Sequence, residues 1–289
     1  MTGVTTVAVI GLGAMGARFA RRFLDRGHDV LVWNRTASKA EELLSHGAAP
    51  VASPAEAARS ADAVVTVVAD PAALRAVTEG PDGIAAGASA STTVIEMSTV
   101  GPDAIRMLRS ALPPEAGLID APVLGSLSEA ESGTLHVFVG GPGDLADRWT
   151  PLLSALGEPI RVGPLGAGAA TKLVANATLV GTMTLLGETL ALADALGVPR
   201  EVAFRVLAWT PLAAQAERRR EPLMTGEFPR RFDLALARKD AELVSEAAAA
   251  AGVDARVLTA AAAWFADAEE AGLGDEDYST VLRRILNER

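Results

Sequence analysis

The sequence predicts an α/β chain in two parts. A doubly wound, mostly parallel sheet domain covers residues 1–165, and an all-α domain covers 166–289, joined to it by a long interdomain helix. Three observations predict this. Short apolar, β-rich runs alternate with helix-period segments through the first part, which is the pattern of βαβ units and a parallel sheet. A glycine-rich turn links the first strand to the first helix. Beyond Gly166 the strand signals stop and alanine-rich helical patterns take over.

In chain order, residues 7–10 form an apolar strand, and 14–26 a helix stopped by Gly27. Residues 30–33 are a second strand and 37–44 a helix. Residues 63–68 run AVVTVV, continuously apolar as expected of a strand covered on both faces. Strands at 93–96 and 117–120 flank a helix at 102–112, and a further strand lies at 134–139. The helical part opens with a helix over 167–196, ended by Gly197 with Pro199 just beyond. At about 1.5 Å per residue it is on the order of 45 Å long. It is apolar nearly all round, so it should be buried, in part by a second subunit. Later helices are expected at 200–209, 235–251, 254–271 and 279–287.

Composition narrows the function. A net charge of −10 excludes a general nucleic-acid binder. With no cysteine there is no disulfide, thiolate metal site or cysteine nucleophile, and the three histidines are scattered. The start carries no basic leader. The uncharged stretch 173–187 is about 15 residues, short of the roughly 20 that span a bilayer. A cytoplasmic protein with no membrane or nucleic-acid partner is expected.

The chemistry lies in two places. Gly11-Leu12-Gly13-Ala14-Met15-Gly16 follows a strand and opens a helix. This is the context in which GxGxxG binds a dinucleotide: a tight turn, an open backbone for the pyrophosphate, and close helix–strand packing. The second strand ends in Trp33-Asn34-Arg35-Thr36, without the carboxylate that usually binds an NAD ribose. Arg35 offers a fork to a 2′-phosphate, and Asn34 and Thr36 add hydrogen bonds, so the cofactor reads as NADP(H).

Lys172 is the second place. No other charge lies between Arg161 and Glu188. A lysine near a helix N-terminus meets the positive end of the dipole, and burial penalises its charge further. Both effects suit the amine to give and take a proton near neutral pH. The bland alternative is a snorkelling side chain. Asn176, one turn on, lies on the same face. It either serves a substrate oxygen or the amine, or is a satisfied buried amide. Arg218, Arg219 and Arg220 read as a solvated helix face, Trp209 as packing, and His136 as a satisfied strand histidine.

On VAVIGLGAMGARFARRFLDRGHDVLVWNRT, EMSTVGP, DAPVLGSLSEAESGTL, GPLGAGAATKLVANATL, FDLALARKDAEL and AGLGDEDYSTV, the chain resembles the β-hydroxyacid dehydrogenase family, which includes 3-hydroxyisobutyrate dehydrogenases. The WNRT segment looks most like the NADPH-dependent glyoxylate/succinic semialdehyde reductase branch. The segments span nearly the whole chain in the family's order. The resemblance implies a Rossmann-type domain and hydride transfer between NADP(H) and a small aldehyde, ketone or β-hydroxyacid. It implies that Lys172 is the general acid and base, with Asn176 binding substrate. Thr99 would lie beside the nicotinamide, with Ser98 next to it at the substrate. Val68, Ala69 and Asp70 would line the cofactor, and Lys239 would reach it from the helical domain, supported by Asp240. Phe232 matches an aromatic at the cleft. A homodimer or tetramer through the long helix is implied.

One segment departs from the family pattern. The substrate loop usually reads DAPVSGG, and its serine binds a carboxylate. Here Val123, Leu124, Gly125 and Ser126 occupy it, with Leu124 in the serine's place. The Gly125 N–H and the Ser126 hydroxyl remain as donors, and a less polar substrate is better tolerated. An imine reductase is the nearest rival reading. A non-catalytic NADP-binding sensor or scaffold is the rival from another class.

Overall fold

In the computed structural model, residues 5–287 are described, and the chain divides between Lys172 and Leu173 into two compact units. The first unit is built on a nine-stranded sheet. Its strands are β1 (Thr6–Ile10), β2 (Asp29–Trp33), β3 (Ala49–Pro50), β4 (Ala63–Thr66), β5 (Thr93–Glu96), β6 (Gly117–Asp120), β7 (Val123–Leu124), β8 (Leu135–Gly140) and β9 (Gly157–Gly163). The order is β3-β2-β1-β4-β5-β6-β8-β7, with β9 also pairing β8. From β3 to β6 every pairing is parallel; β8 runs antiparallel to β6 and β7. The order reverses between β1 and β4, the position at which doubly wound sheets bind ligands beyond their strand ends.

Alternation along the strands feeds two cores. Val7, Val9, Val65, Ile95 and Ile119 pack on one face with Phe19, Phe23 and Trp149. Ala8, Ile10, Val64, Val94 and Leu118 pack on the other with Leu74, Ile84, Ile105 and Leu108. β4 and β5 are buried along their whole length, so their near-continuous apolar sequence follows from cover on both faces.

The second unit is helical. The long helix runs Ala167–Ala195 and crosses the division between the units. It is long and apolar enough, by length and composition, to cross a membrane. Val180, Met183, Leu186 and Leu190 form its buried stripe in the second unit, against Phe204, Leu207, Leu234, Phe265 and Leu282. The all-round burial expected of it does not hold within the chain: Leu185 and Leu192 stay exposed. Helices at Arg200–Leu207, Ala213–Thr225, Leu234–Ala250 and Arg256–Ala268 follow. The last expected helix is a short 3₁₀ turn, Tyr278–Thr280, running into Val281–Ile285.

Some local expectations are corrected here. Trp209 is not packing: it stands 81% exposed just past the Arg200–Leu207 helix. Of the three arginines, Arg219 lies over the Tyr278 ring and bonds its hydroxyl, and Arg220 pairs with Glu201. They are therefore not a purely solvated face. His136 projects to solvent from β8, 3.4 Å from Glu158.

β9 approaches β8 closely where Gly157 faces Leu135. A Cβ on Gly157 would lie 1.9 Å from the Leu135 carbonyl oxygen, a backbone atom that cannot swing aside. Gly157→Ala should therefore destabilise the protein by about 2–3 kcal/mol. Urea unfolding checks this, and an unchanged midpoint would contradict the close approach.

Candidate active site

One register row closes the five central strands at their C-terminal ends: Trp33, Ile10, Thr66, Glu96 and Asp120. Each first-unit residue expected at cofactor or substrate follows this row by six residues or fewer, apart from Lys172. The fold thus gathers distant segments by strand alignment.

The glycine turn has the geometry its sequence requires. Gly11 has φ +97°, and a Cβ there would meet the Val67 carbonyl oxygen at 2.2 Å. A Cβ on Gly16 would meet the Gly11 oxygen at 2.0 Å, so helix and turn pack backbone to backbone. Around Gly13 no heavy atom lies within 4 Å of an added Cβ. That open face adjoins the start of helix Ala14–Asp25, which has no side-chain cap and no acidic residue in its first turn. Uncapped N–H groups beside open space fit the phosphates of a dinucleotide. Ala14 is exposed, Met15 half-buried and Leu12 in the core.

Asn34 has other work than the expected contact with a 2′-phosphate. Its Oδ1 accepts the Leu12 N–H at 2.9 Å and its Nδ2 donates to the Thr36 carbonyl at 2.9 Å. It ties the glycine turn to the end of β2. Arg35 and Thr36 are exposed, and Arg35 makes no hydrogen bond or ion pair among the described residues. Asp70 caps helix Pro71–Thr78, accepting the Ala73 N–H at 2.7 Å. Val68 is half-buried and Ala69 exposed beside it.

Glu96 was not anticipated as a site residue. It is fully buried, yet its carboxyl accepts the Thr66 hydroxyl at 2.6 Å and the Ser98 N–H at 2.8 Å. The Ser98 hydroxyl bonds it at 3.2 Å while accepting the Val68 N–H at 2.8 Å. Burial pushes the Glu96 carboxyl up to about 7, against the pull of these donors. Ser98, expected at the substrate, is therefore an interior link between the ends of β4 and β5. Half-buried Thr99 follows it. The sequence signal was a lone carboxylate ending an apolar strand, TVIE.

The substrate loop is arranged similarly. Val123 is buried and Leu124 is 41% exposed. Gly125 has φ +142°, a conformation reserved for glycine. The Ser126 N–H and hydroxyl both bond Glu129, the third residue of helix Leu127–Ser132, in a capping box. Those bonds, the Ser126 hydroxyl first, hold the Glu129 carboxyl down to about 2. The donor expected from Ser126 is thus spent on an ionised carboxylate, and the loop presents Leu124 instead.

Lys172 is half-buried in the second turn of the long helix. In the second unit, Asn176 is 3% exposed and donates to Asp240 Oδ2 at 2.8 Å, while Lys239 Nζ lies 2.6 Å from Asp240 Oδ1. Asp240 therefore holds both residues. Phe232 is tilted against Tyr278 with ring centres 5.6 Å apart. The buried Asp277 accepts the Arg231 and Phe232 N–H groups and the Ser279 hydroxyl, fixing that segment.

Comparison with known proteins places this arrangement. Residues 6–171 match the family described as the NAD binding domain of 6-phosphogluconate dehydrogenase. Residues 166–285 match the NAD-binding domain of NADP-dependent 3-hydroxyisobutyrate dehydrogenase. The chain belongs to the β-hydroxyacid dehydrogenase family. Among its members, 3-sulfolactaldehyde reductase of Escherichia coli is 30% identical over 98% of this chain and 96% of its own. Glyoxylate/succinic semialdehyde reductase 1 of Arabidopsis thaliana is 30% identical over 96% and 98%. The structure of Mycobacterium tuberculosis 3-hydroxyisobutyrate dehydrogenase with L-serine superposes with a TM-score of 0.87 at 28% identity, covering 98% of this chain and 99% of that one. As a β-hydroxyacid dehydrogenase the chain is an NAD(P)-dependent oxidoreductase acting on CH–OH or C=O groups, and not a non-catalytic sensor.

The Glu96 carboxyl titrates at about 7 when folded and near 4.5 when unfolded. Between those values the folded state holds the extra proton, so stability falls as pH rises through the window. This group alone should remove about 3 kcal/mol between pH 4.5 and 7.5. Glu96→Gln should abolish that part of the slope, so the variant gains on the parent as pH rises. Urea titrations across this range check it; parallel curves for the two proteins would contradict the buried carboxyl.

Proposed function

We propose that this chain is an NADPH-dependent reductase of a small aldehyde or ketone, or in reverse a dehydrogenase of a β-hydroxyacid, with Lys172 as its proton-transfer group. The observation that carries the reading is Lys172 in the second turn of the long helix, with Asn176 one turn on and held by Asp240. When bound, NADPH supplies the hydride. Gly11, Gly13 and the first turn of helix Ala14–Asp25 would hold its phosphates, and Arg35 its 2′-phosphate. Lys172 Nζ gives a proton to the carbonyl oxygen in reduction and takes one from the hydroxyl in oxidation. Asn176 orients that oxygen.

The substrate end is read as weakly polar. Leu124 is exposed where relatives of this family place a serine, and Glu129 consumes the Ser126 donors and stays ionised. An anionic substrate group would meet a leucine and a carboxylate there. The same observation favours, as a second reading, reduction of an apolar C=N group. We also read the molecule as a homodimer, or a tetramer, built on the long helix, whose Val174, Leu185 and Leu192 remain exposed.

NADPH oxidation against glyoxylate, succinic semialdehyde, apolar aldehydes and cyclic imines tests the substrate class, with apolar aldehydes expected to turn over best. Preference for imines would move the chain to the second reading. Lys172→Ala should lower turnover by about 10²–10⁴ with NADPH affinity retained; near-normal turnover would refute the mechanism. Arg35→Asp should shift the NADPH/NADH ratio of kcat/KM toward NADH by about tenfold or more, and an unchanged ratio would refute the NADP assignment.

A further inference from the structure

The long helix does not cap itself. Gly166 precedes it and has φ +91°, so no side chain at that position can accept the first-turn N–H groups. The acceptor comes from β6. Asp120, fully buried at the strand end, accepts the Gly166 N–H on Oδ1 at 2.8 Å and the Ala169 N–H on Oδ2 at 2.7 Å. These partners are 46 and 49 residues away in sequence. Two glycines make the room. A Cβ on Gly140 would fall 2.5 Å from Asp120 Oδ1. One on Gly168 would fall 2.9 Å from Oδ2 and 2.4 Å from the Phe138 carbonyl oxygen. Backbone, carboxylate and helix start are thus locked together with no flexible atom between them.

Lys172 follows Ala169 by three residues. Helical side chains lean toward the N-terminus, so Lys172 lies back over the turn that Asp120 holds. We propose that Asp120 is a positioning residue for Lys172, fixing the first turn of the long helix to the end of β6 and so setting where the amine stands relative to the sheet. This rests on the reading of Lys172 as the proton-transfer group. Charge adds a separate effect that opposes the dipole. A carboxylate at a helix N-terminus offsets the positive end of the dipole, which otherwise disfavours a protonated amine one turn on.

A double-mutant cycle tests the proposal. Asp120→Asn keeps the shape but loses one acceptor and the charge. It should lower kcat by about 10–10², with the NADPH dissociation constant, read by fluorescence titration, changed by less than about twofold. In a Lys172→Ala background the same substitution should lower turnover by less than about twofold more, since residues that act through one another are not additive. An equal loss in both backgrounds, or an unchanged kcat in the single variant, overturns the positioning role. Full turnover in Lys172→Ala alone would instead overturn the proton-transfer reading. Amide exchange on the unsubstituted protein gives a reading that no folding defect can spoil. The Gly166 and Ala169 amides should be protected; exchange as fast as at the uncapped start of helix Ala14–Asp25 overturns the clamp.

Discussion

Every parallel strand and every helix ends with backbone groups that have lost their partners, and burial forbids leaving them so. In this molecule buried acidic side chains meet much of that demand. Glu96 takes the Ser98 N–H and the Thr66 hydroxyl, joining β5 to β4. Asp120 takes the Gly166 and Ala169 N–H groups at the start of the long helix. Asp277 takes the Arg231 and Phe232 N–H groups, and Asp240 holds Asn176 and Lys239. Each tie joins an element to a segment that arrives from elsewhere in the chain, except the contacts of Glu96 with Ser98, two residues on, and of Asp240 with its neighbour Lys239.

The same accounting explains which polar side chains remain for ligands. Asn34, Ser98 and Ser126 look available in sequence, yet each is used to hold the backbone that carries the site. What faces outward is simpler: an open turn at Gly13, the exposed guanidinium of Arg35, and Leu124. The loop that would decide substrate chemistry is thereby made rigid and rather apolar, while the cofactor side keeps a cation and backbone donors.

Much of the fold was legible because one-dimensional patterns carry it. The apolar runs of β1, β4, β5 and β6 announce strands covered on both faces, and the uncharged stretch around Lys172 announces the long helix. β9 was not legible: its sequence GEPIRVG holds two glycines and a proline, poor strand formers placed by tertiary pairing with β8. Helices Pro54–Ser60 and Pro71–Thr78 are too short to show a period, and their caps, Ser53 and Asp70, emerge from the structure. Of the candidate site, Gly11–Gly16, Arg35 and Lys172 could be read from spacing or isolation of charge. The Thr66–Glu96–Ser98–Val68 chain could not, because its partners are up to 30 residues apart and only strand register brings them together.

The division between the two units falls inside the long helix, directly after Lys172, so Lys172 and Asn176 belong to different units of the chain. Recombination between relatives would therefore be unusually sensitive to phase at this junction. Each residue inserted or deleted between positions 172 and 176 would rotate one side chain about 100° around the helix axis relative to the other. The proposed pairing of Lys172 with Asn176 requires the helix between them to keep this length unchanged. That is a constraint on the evolution of the chain that neither unit imposes alone.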